Sequence, residues 1–414
     1  MRIHLVIPGW GPFPLAYRSR VPMLNLVTIA AYIPEEHSLR LLDDRLEPIG
    51  RVTDVPDLVL LSAMTVQIQR AYRIADLYRR AGAYVALGGI HPSLNTEEAL
   101  EHADTILVGE GEQTIGEFIR DLEAKQAKKI YIYGKRFDFA GYRPPRRDLF
   151  AGIGYLAFDP IQTSRGCPCN CDFCIVPHLQ GRAFRRKPLD LLAREMDGLA
   201  PIVFLTDDNV MLDVGYFRRV MGLLAERRCM WSALANSDML RSGKLVQEMK
   251  DAGCWLLYLD IGPRLNQEIA RNKHAYRQQL KDLTAHIRAM DIKVIASFVF
   301  GYDFDTPDVF EQTVRFALQA GFDEAEFHMV TPFPKTRLRK RLKEQGRLLA
   351  EDWRHFSCDK AIFVPKQMTP GALEQGLRYA WREFYQAKGI DIFGGQDVLV
   401  SFPNIEGLNI KRYF

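Results

Sequence analysis

No stretch of this 414-residue chain approaches eighteen uninterrupted apolar residues, so no membrane-spanning helix is expected. Charge of one sign is scarce as well. The formal net charge is only +4, short of the clustered basic surplus that marks a nucleic-acid binder. The start, MRIHLVIPGW, lacks the long apolar region of a cleavable signal and reads as a first strand, which predicts a cytoplasmic protein. Internal repeats and low-complexity tracts are missing, and an apolar fraction of 47% with 26% charged residues excludes collagen, coiled coil and wholesale disorder. Cysteine is sparse: seven residues, none before Cys167. An odd number without an export signal is not a disulfide framework.

What is present is βα alternation. RIHLVIP, LRLLDD, DLVLLSA, YVALGGI and TILVGEG each read as a buried parallel strand, separated by segments of helical period such as VQIQRAYRIADLYRRAG. The first module, 1–130, is thus a doubly wound α/β sheet whose ligand belongs at the strand C-terminal ends. Ser62, Gly88-Gly89 and Gly109-Glu110-Gly111 lie at that edge. Residues 131–153, with Pro144 and Pro145, read as a linker. From 154 to 340 a second βα series has strands at 155–165, 202–208, 231–237, 255–262, 294–303 and 324–332. Leu280, Leu283, Ile287 and Met290 mark one apolar helix face. Thr306-Pro307 reads as a helix start and Gly321 as its C-terminal stop. Six units are too few for a closed eight-stranded barrel, so a partial barrel with its chemistry at the strand C-termini is expected. Residues 341–414 read as a helical cap and an aromatic tail.

Four of the seven cysteines crowd into SRGCPCNCDFCIVPH, directly after the first strand of the second series. Cys167, Cys171 and Cys174 have the spacing C-x3-C-x2-C. Three thiolates on one short loop can cap three irons of a [4Fe–4S] cube and leave the fourth iron open to a chelating small molecule. An all-cysteine zinc site that includes Cys169 is the competing reading, although such sites usually draw ligand pairs from two separated loops. On that reading the chain is a zinc-stabilised binding protein. Cys229, Cys254 and Cys358 are isolated and read as structural.

This motif, with Phe173 before the last cysteine, resembles the radical S-adenosylmethionine superfamily. The likeness is nearest to the branch with an N-terminal cobalamin-binding domain, which includes hopanoid methylases and the anaerobic magnesium-protoporphyrin cyclase. FLTDDN (204–209), EMKDAGCWLLYL (248–259), SFVFGYDFDT (297–306), TPFPKTRL (331–338), LGGIHPS and LVGEGEQT carry it further along the chain. The resemblance implies a [4Fe–4S] cluster, S-adenosylmethionine cleaved to a 5′-deoxyadenosyl radical, and an external electron donor of the flavodoxin or ferredoxin type. It implies an enzyme acting on a small-molecule intermediate, a lipid or a tetrapyrrole, most simply by C-methylation. The alternative is cyclisation or rearrangement without methyl transfer. Asp207 and Asp208 would face the methionine ammonium, Gly301 the adenine and Asn236 the ribose.

The departures from the family pattern matter. Cys169 stands where an apolar residue is usual, and is expected to point away from the cluster. The I-E-S triplet reads Ile261-Gly262-Pro263, which removes a carboxylate, and P-G-T reads Pro334-Lys335-Thr336. No D-x-H-x-x-G occurs, so the resemblance implies base-off cobalamin with no histidine ligand, held by Ser62, Met64, Gly88, Gly89 and the Gly109-Glu110-Gly111 loop. His91 reads as a pocket-wall or solvent-facing side chain rather than a ligand. The basic run from Arg337 to Lys343 reads as a solvated helix face. Trp381, Phe384, Tyr385, Tyr413 and Phe414 read as packing.

Overall fold

A computed structural model describes residues 1–10, 20–238, 240, 243–349 and 352–390. Six parallel strands form the first sheet: β1 (Arg2–Ile7), β2 (Ser38–Asp43), β3 (Leu58–Ser62), β4 (Tyr84–Gly88), β5 (Thr105–Val108) and β6 (Ile130–Ile132). Their order is β2-β1-β3-β4-β5-β6. Within β1, Ile3, Leu5 and Ile7 pack into one core while Val6 packs into the other, on the opposite face of the sheet. Helices on both faces explain why β1 and β3 are continuous apolar runs rather than alternating ones. Chain connections diverge between β1 and β3, which opens a crevice at the strand C-terminal ends.

β6 falls in the stretch that reads as a linker. Only Tyr131 of its three residues is buried, and two exposed isoleucines flank it. So short a strand gives no periodicity to detect.

The second sheet contains β7 (Asp159–Ile161), β10 (Ile202–Leu205), β11 (Met230–Asn236), β12 (Cys254–Asp260), β13 (Lys293–Phe300) and β14 (Glu324–Met329). Each is parallel to the next in chain order, from β7 at one edge to β14 at the other, which is the six-stranded partial barrel. Its outer face packs on helices in the largest core of the protein. Phe158, Ile202, Met230, Leu256 and Ile295 form a second, inner cluster. The stretch 155–165 does not act as one strand. β7 ends at Ile161, and β8 (Ser164–Arg165) turns into an antiparallel ribbon with β9 (Arg185–Arg186). That ribbon frames the cysteine loop.

Leu280 and Ile287 are buried on the helix Ala275–Ala289, as the periodicity predicts. The following helix, Val309–Ala320, starts later than Thr306-Pro307 suggests, because the Thr306 hydroxyl bonds the Asp308 carboxylate instead of capping the helix. It does end at Gly321 in the left-handed conformation. Thr369 caps the C-terminal helix Pro370–Gln386, accepting from Ala372 N at 3.1 Å. Trp381 and Tyr385 donate to the carbonyls of Phe327 and Ala325 at 2.9 and 3.0 Å, so this helix covers the outer face of β14. Trp381, Phe384 and Tyr385 are therefore packing residues. Tyr413 and Phe414 lie outside the described residues. Among the described residues no helix is long and apolar enough to cross a membrane.

Candidate functional site

The cysteine loop leaves β8, returns through β9 and is anchored from two directions. Gly166 N donates to Gln180 Oε1 at 3.0 Å and Cys167 N to the Gly181 carbonyl at 3.2 Å. From the far end of the barrel, Leu338 N donates to the Asp172 carbonyl at 2.9 Å, and Arg341 pairs with the Asp172 carboxylate at 2.6 Å. The basic run thus forms the helix Arg337–Glu344, which grips this loop at one end while Arg337, Lys340 and Lys343 stay exposed on the solvated face the sequence suggests.

All seven cysteines are free thiols. Cys167, Cys171 and Cys174 share the loop, and burial raises each thiol above its usual range, that of Cys167 to about 12. Such thiols become ligands when a cation offsets the cost of their charge. Cys169 sits at the tip of the loop. It is exposed, while Cys167 and Cys174 are half-buried. Cys229 and Cys254 are buried at a distance from the loop, on the barrel core side.

Two cavities adjoin this loop. The first, about 470 Å³, lies between the modules. One wall is the edge of the first sheet, with Ser62, Gly88, Gly89, Gly109, Glu110 and Gly111; the other includes Val176, Leu179, Thr206 and Asp208. Gly89 has a φ of 97°, and a Cβ there would lie 2.7 Å from Ala63 N, so only glycine lets the backbone turn at this edge. Met64 does not line the cavity. Its N–H donates to Gln67 Oε1 at 3.0 Å, which shapes the adjoining turn. His91 is fully buried behind the edge, its ring 4.8 Å from that of Trp353 and its Nε2 3.5 Å from Glu98.

The second cavity, about 650 Å³, is lined by Cys171, Phe173, Asn236, Asp260, Gly301 and Tyr302, among others. Gly301, at φ 100°, donates its N–H to Asp305 Oδ2 at 2.9 Å, and a Cβ would press on Leu373 and Phe363 at 3.1 and 3.2 Å. The sequence suggested that Ile261-Gly262-Pro263 removes a carboxylate. Asp260, one residue earlier, presents one to this cavity, and burial raises its pKa. The Tyr302 hydroxyl is buried there without a hydrogen-bond partner.

Asp207 and Asp208 part company. Asp207 is buried, lines neither cavity, and accepts bonds from Thr163 N at 3.0 Å, Thr163 Oγ1 at 2.8 Å and the Ser164 hydroxyl. It is engaged in holding β8. Asp208 faces the first cavity, with Oδ2 buried and unpartnered, and its pKa is pushed up to about 6 by burial and by Asp207. A buried carboxylate oxygen without a donor fits an incoming ammonium. The three-thiol loop, the orphaned Asp208 oxygen and the glycine edge suit a cluster, S-adenosylmethionine and cobalamin respectively.

Sequence reasoning missed the polar ties across the site. Arg165 bridges the modules, pairing with Glu110 at 3.1 Å and Glu112 at 2.5 Å, and Arg185 adds a second bond to Glu110 at 3.0 Å. Glu110 thus belongs to the interface as well as lining the cavity. Lys187 and Glu195, both buried, pair at 2.6 Å beside Tyr142 and Arg147. On the inner face of β14, His328 lies 3.2 Å from Glu326, which also accepts from Tyr258. Arg165 lies 55 and 53 positions from Glu110 and Glu112, and partners so far apart leave no local signal.

Comparison with known proteins gives the class. Residues 16–119 match the B12 binding domain and residues 161–317 the radical SAM superfamily. The chain is 27% identical over 384 residues to the bacteriochlorophyllide d C-12(1)-methyltransferase of Chlorobaculum tepidum, covering 89% of this chain and 83% of that one. It is 27% identical to the hopanoid C-2 methylase of Rhodopseudomonas palustris, covering 86% and 73%. It is 25% identical to the anaerobic magnesium-protoporphyrin IX monomethyl ester cyclase of Cereibacter sphaeroides, covering 81% and 61%. In fold it is similar to the radical S-adenosylmethionine methyltransferase TsrM of Kitasatospora setae, whose structure has cobalamin and a [4Fe-4S] cluster bound. The TM-score is 0.63 at 17% identity, covering 83% of this chain and 75% of that one. The chain is a radical S-adenosylmethionine enzyme. It carries a B12-binding domain ahead of its radical SAM domain.

Proposed function

We propose that this enzyme methylates an unactivated carbon of a large, mostly apolar biosynthetic intermediate of the tetrapyrrole or hopanoid kind. The observation that carries the reading is that the cysteine loop adjoins two cavities, one edged by the B12-binding domain and lined by the loop's flanks, Arg165 and Ile175, and one in the barrel lined by Cys171 and Phe173. When bound, the cluster with S-adenosylmethionine supplies hydrogen-atom abstraction, and cobalamin supplies the methyl group. Cys167, Cys171 and Cys174 hold the cluster. Asp208 accepts the methionine ammonium, while Asn236, Asp260 and the Gly301 backbone receive the ribose and adenine. Ser62 and the glycines at 88, 89, 109 and 111 cradle the cobalamin tail, and Met64 and Gln67 fix the turn beside them. Base-off cobalamin without a histidine ligand is supported by His91, whose buried ring is already engaged by Trp353 and Glu98. The substrate rests against the inner barrel face, where His328 lies opposite Val299 in the strand register and beside Glu326. A small flavodoxin- or ferredoxin-type carrier supplies electrons. Modules at 1–130, 154–340 and 341–414 divide the work as cofactor cradle, barrel and cap.

The test is anaerobic reconstitution with iron, sulfide and hydroxocobalamin, followed by product analysis with candidate tetrapyrroles and hopanoids. Equal amounts of 5′-deoxyadenosine and S-adenosylhomocysteine are expected. Deoxyadenosine alone would instead point to cyclisation, and zinc without iron would end the reading. Cys171→Ala should lose most of its iron, whereas Cys169→Ala should keep it.

A further inference from the structure

The outer tip of the cysteine loop, Pro168 to Asn170, is exposed, and cations from three distant parts of the chain surround it. Arg182 donates to Asn170 Oδ1 at 2.9 Å, and Arg337 donates to the Asn170 carbonyl. Arg136 donates to the carbonyls of His178 and Leu179, on the short helix just after Cys174. Lys135, Lys335 and Lys340 adjoin these arginines and are exposed. None of the six lines either cavity. The acid inside the loop, Asp172, is paired with Arg341 at 2.6 Å, and Asp138, the acid next to Arg136, binds Ala140 N at 2.9 Å. Glu344 lies 3.9 Å from Lys340; with Arg341 counted, seven cations face these three acids, so a chain whose net charge is only +4 gathers a positive surplus around one loop.

We infer that this rim is the docking face for a small acidic one-electron carrier protein. The inference rests on the proposed function and adds where the electron enters. In each encounter the carrier is oxidised by one electron and the cluster is reduced by one, with no proton or group transferred. Electron-transfer encounters use small, weak interfaces, so charge steering sets their rate more than buried area does. The location suits electron entry, since Arg182 and Arg337 touch the residue immediately before Cys171, and Arg136 touches the helix that follows Cys174. Exposed Ile132 and Tyr133, just upstream of Lys135, supply apolar contact at the margin.

The experiment compares reconstituted enzyme with the combined variant Lys135→Glu, Lys335→Glu and Lys340→Glu. These side chains hold neither the loop nor a cavity wall. Binding of an acidic flavodoxin is measured by calorimetry, and S-adenosylmethionine cleavage is driven either by reduced flavodoxin or by titanium(III) citrate. The variant should bind flavodoxin at least about tenfold more weakly at low salt, and its flavodoxin-driven rate should fall about 10- to 100-fold. The difference should close near about 0.5 M salt, the titanium-driven rate should not change, and arginine at the three positions should preserve wild-type behaviour. Unchanged flavodoxin affinity with an unchanged salt dependence would overturn the inference. So would equal losses with both reductants, or binding to phosphatidylglycerol vesicles in place of flavodoxin. If titanium(III) citrate drives no cleavage in the wild type, the functional reading fails, and the binding comparison still decides the docking face.

Discussion

Asp207 and Asp208 are chemically identical neighbours with opposite roles, because adjacent residues leaving a strand point to opposite faces. The DD pair after β10 is legible in the sequence; which carboxylate reaches the cavity depends on Thr163 and Ser164, some forty residues upstream. Glu324 shows the same dependence. Its carboxyl is buried beside Glu326, and burial first, then the Glu326 charge, pushes its pKa up to about 7 from an ordinary 4.5. The folded state therefore holds a proton that the unfolded state releases, and stability falls as pH rises from about 4.5 to 7. Glu324→Gln should remove that slope and raise stability by about 1–2 kcal/mol at pH 8, after allowing for solvent screening. Urea unfolding midpoints at the two pH extremes check this. Parallel curves for wild type and variant would refute it.

At the scale of elements, most strands announce themselves as apolar runs, and the glycines at their ends mark the binding edge. Gly89 illustrates how much such a position constrains. Gly89→Ala places a Cβ 2.7 Å from Ala63 N at a φ of 97°, so a loss of about 2–3 kcal/mol is expected. Hydroxocobalamin retention on gel filtration should fall with it. Gly109→Ala, whose Cβ meets open space, should lose less stability. If thermal unfolding ranks the two the other way, the edge is not built as described. Elements that periodicity failed to show are the short ones: β6 buries one side chain, and β8 and β9 have two residues each. These ribbons owe their existence to pairing with distant chain rather than to local pattern.

For the whole molecule, the joint between the modules is ionic and buried. Arg165 holds both Glu110 and Glu112 across it. Arg165→Met strands Glu112 and weakens the hold on Glu110, so a cost of about 3–5 kcal/mol is expected, as for other broken buried pairs. Unfolding should split into two transitions as the B12-binding domain uncouples from the barrel. A single transition at an unchanged midpoint would show that apolar contact alone joins them.

By itself the sequence determined the two βα modules, the cysteine spacing and the glycine-rich edge, because each is a local pattern in which the residue type is its own evidence. Only the tertiary structure decided that residues flanking the loop line one cavity while Cys171 and Phe173 line the other, that Asp260 brings a carboxylate to the second, and that the basic run grips Asp172. The ion pairs of Arg165 with Glu112 and of Arg341 with Asp172 join residues 53 and 169 positions apart. Their selection acts through proximity in space, and proximity leaves no period along the chain.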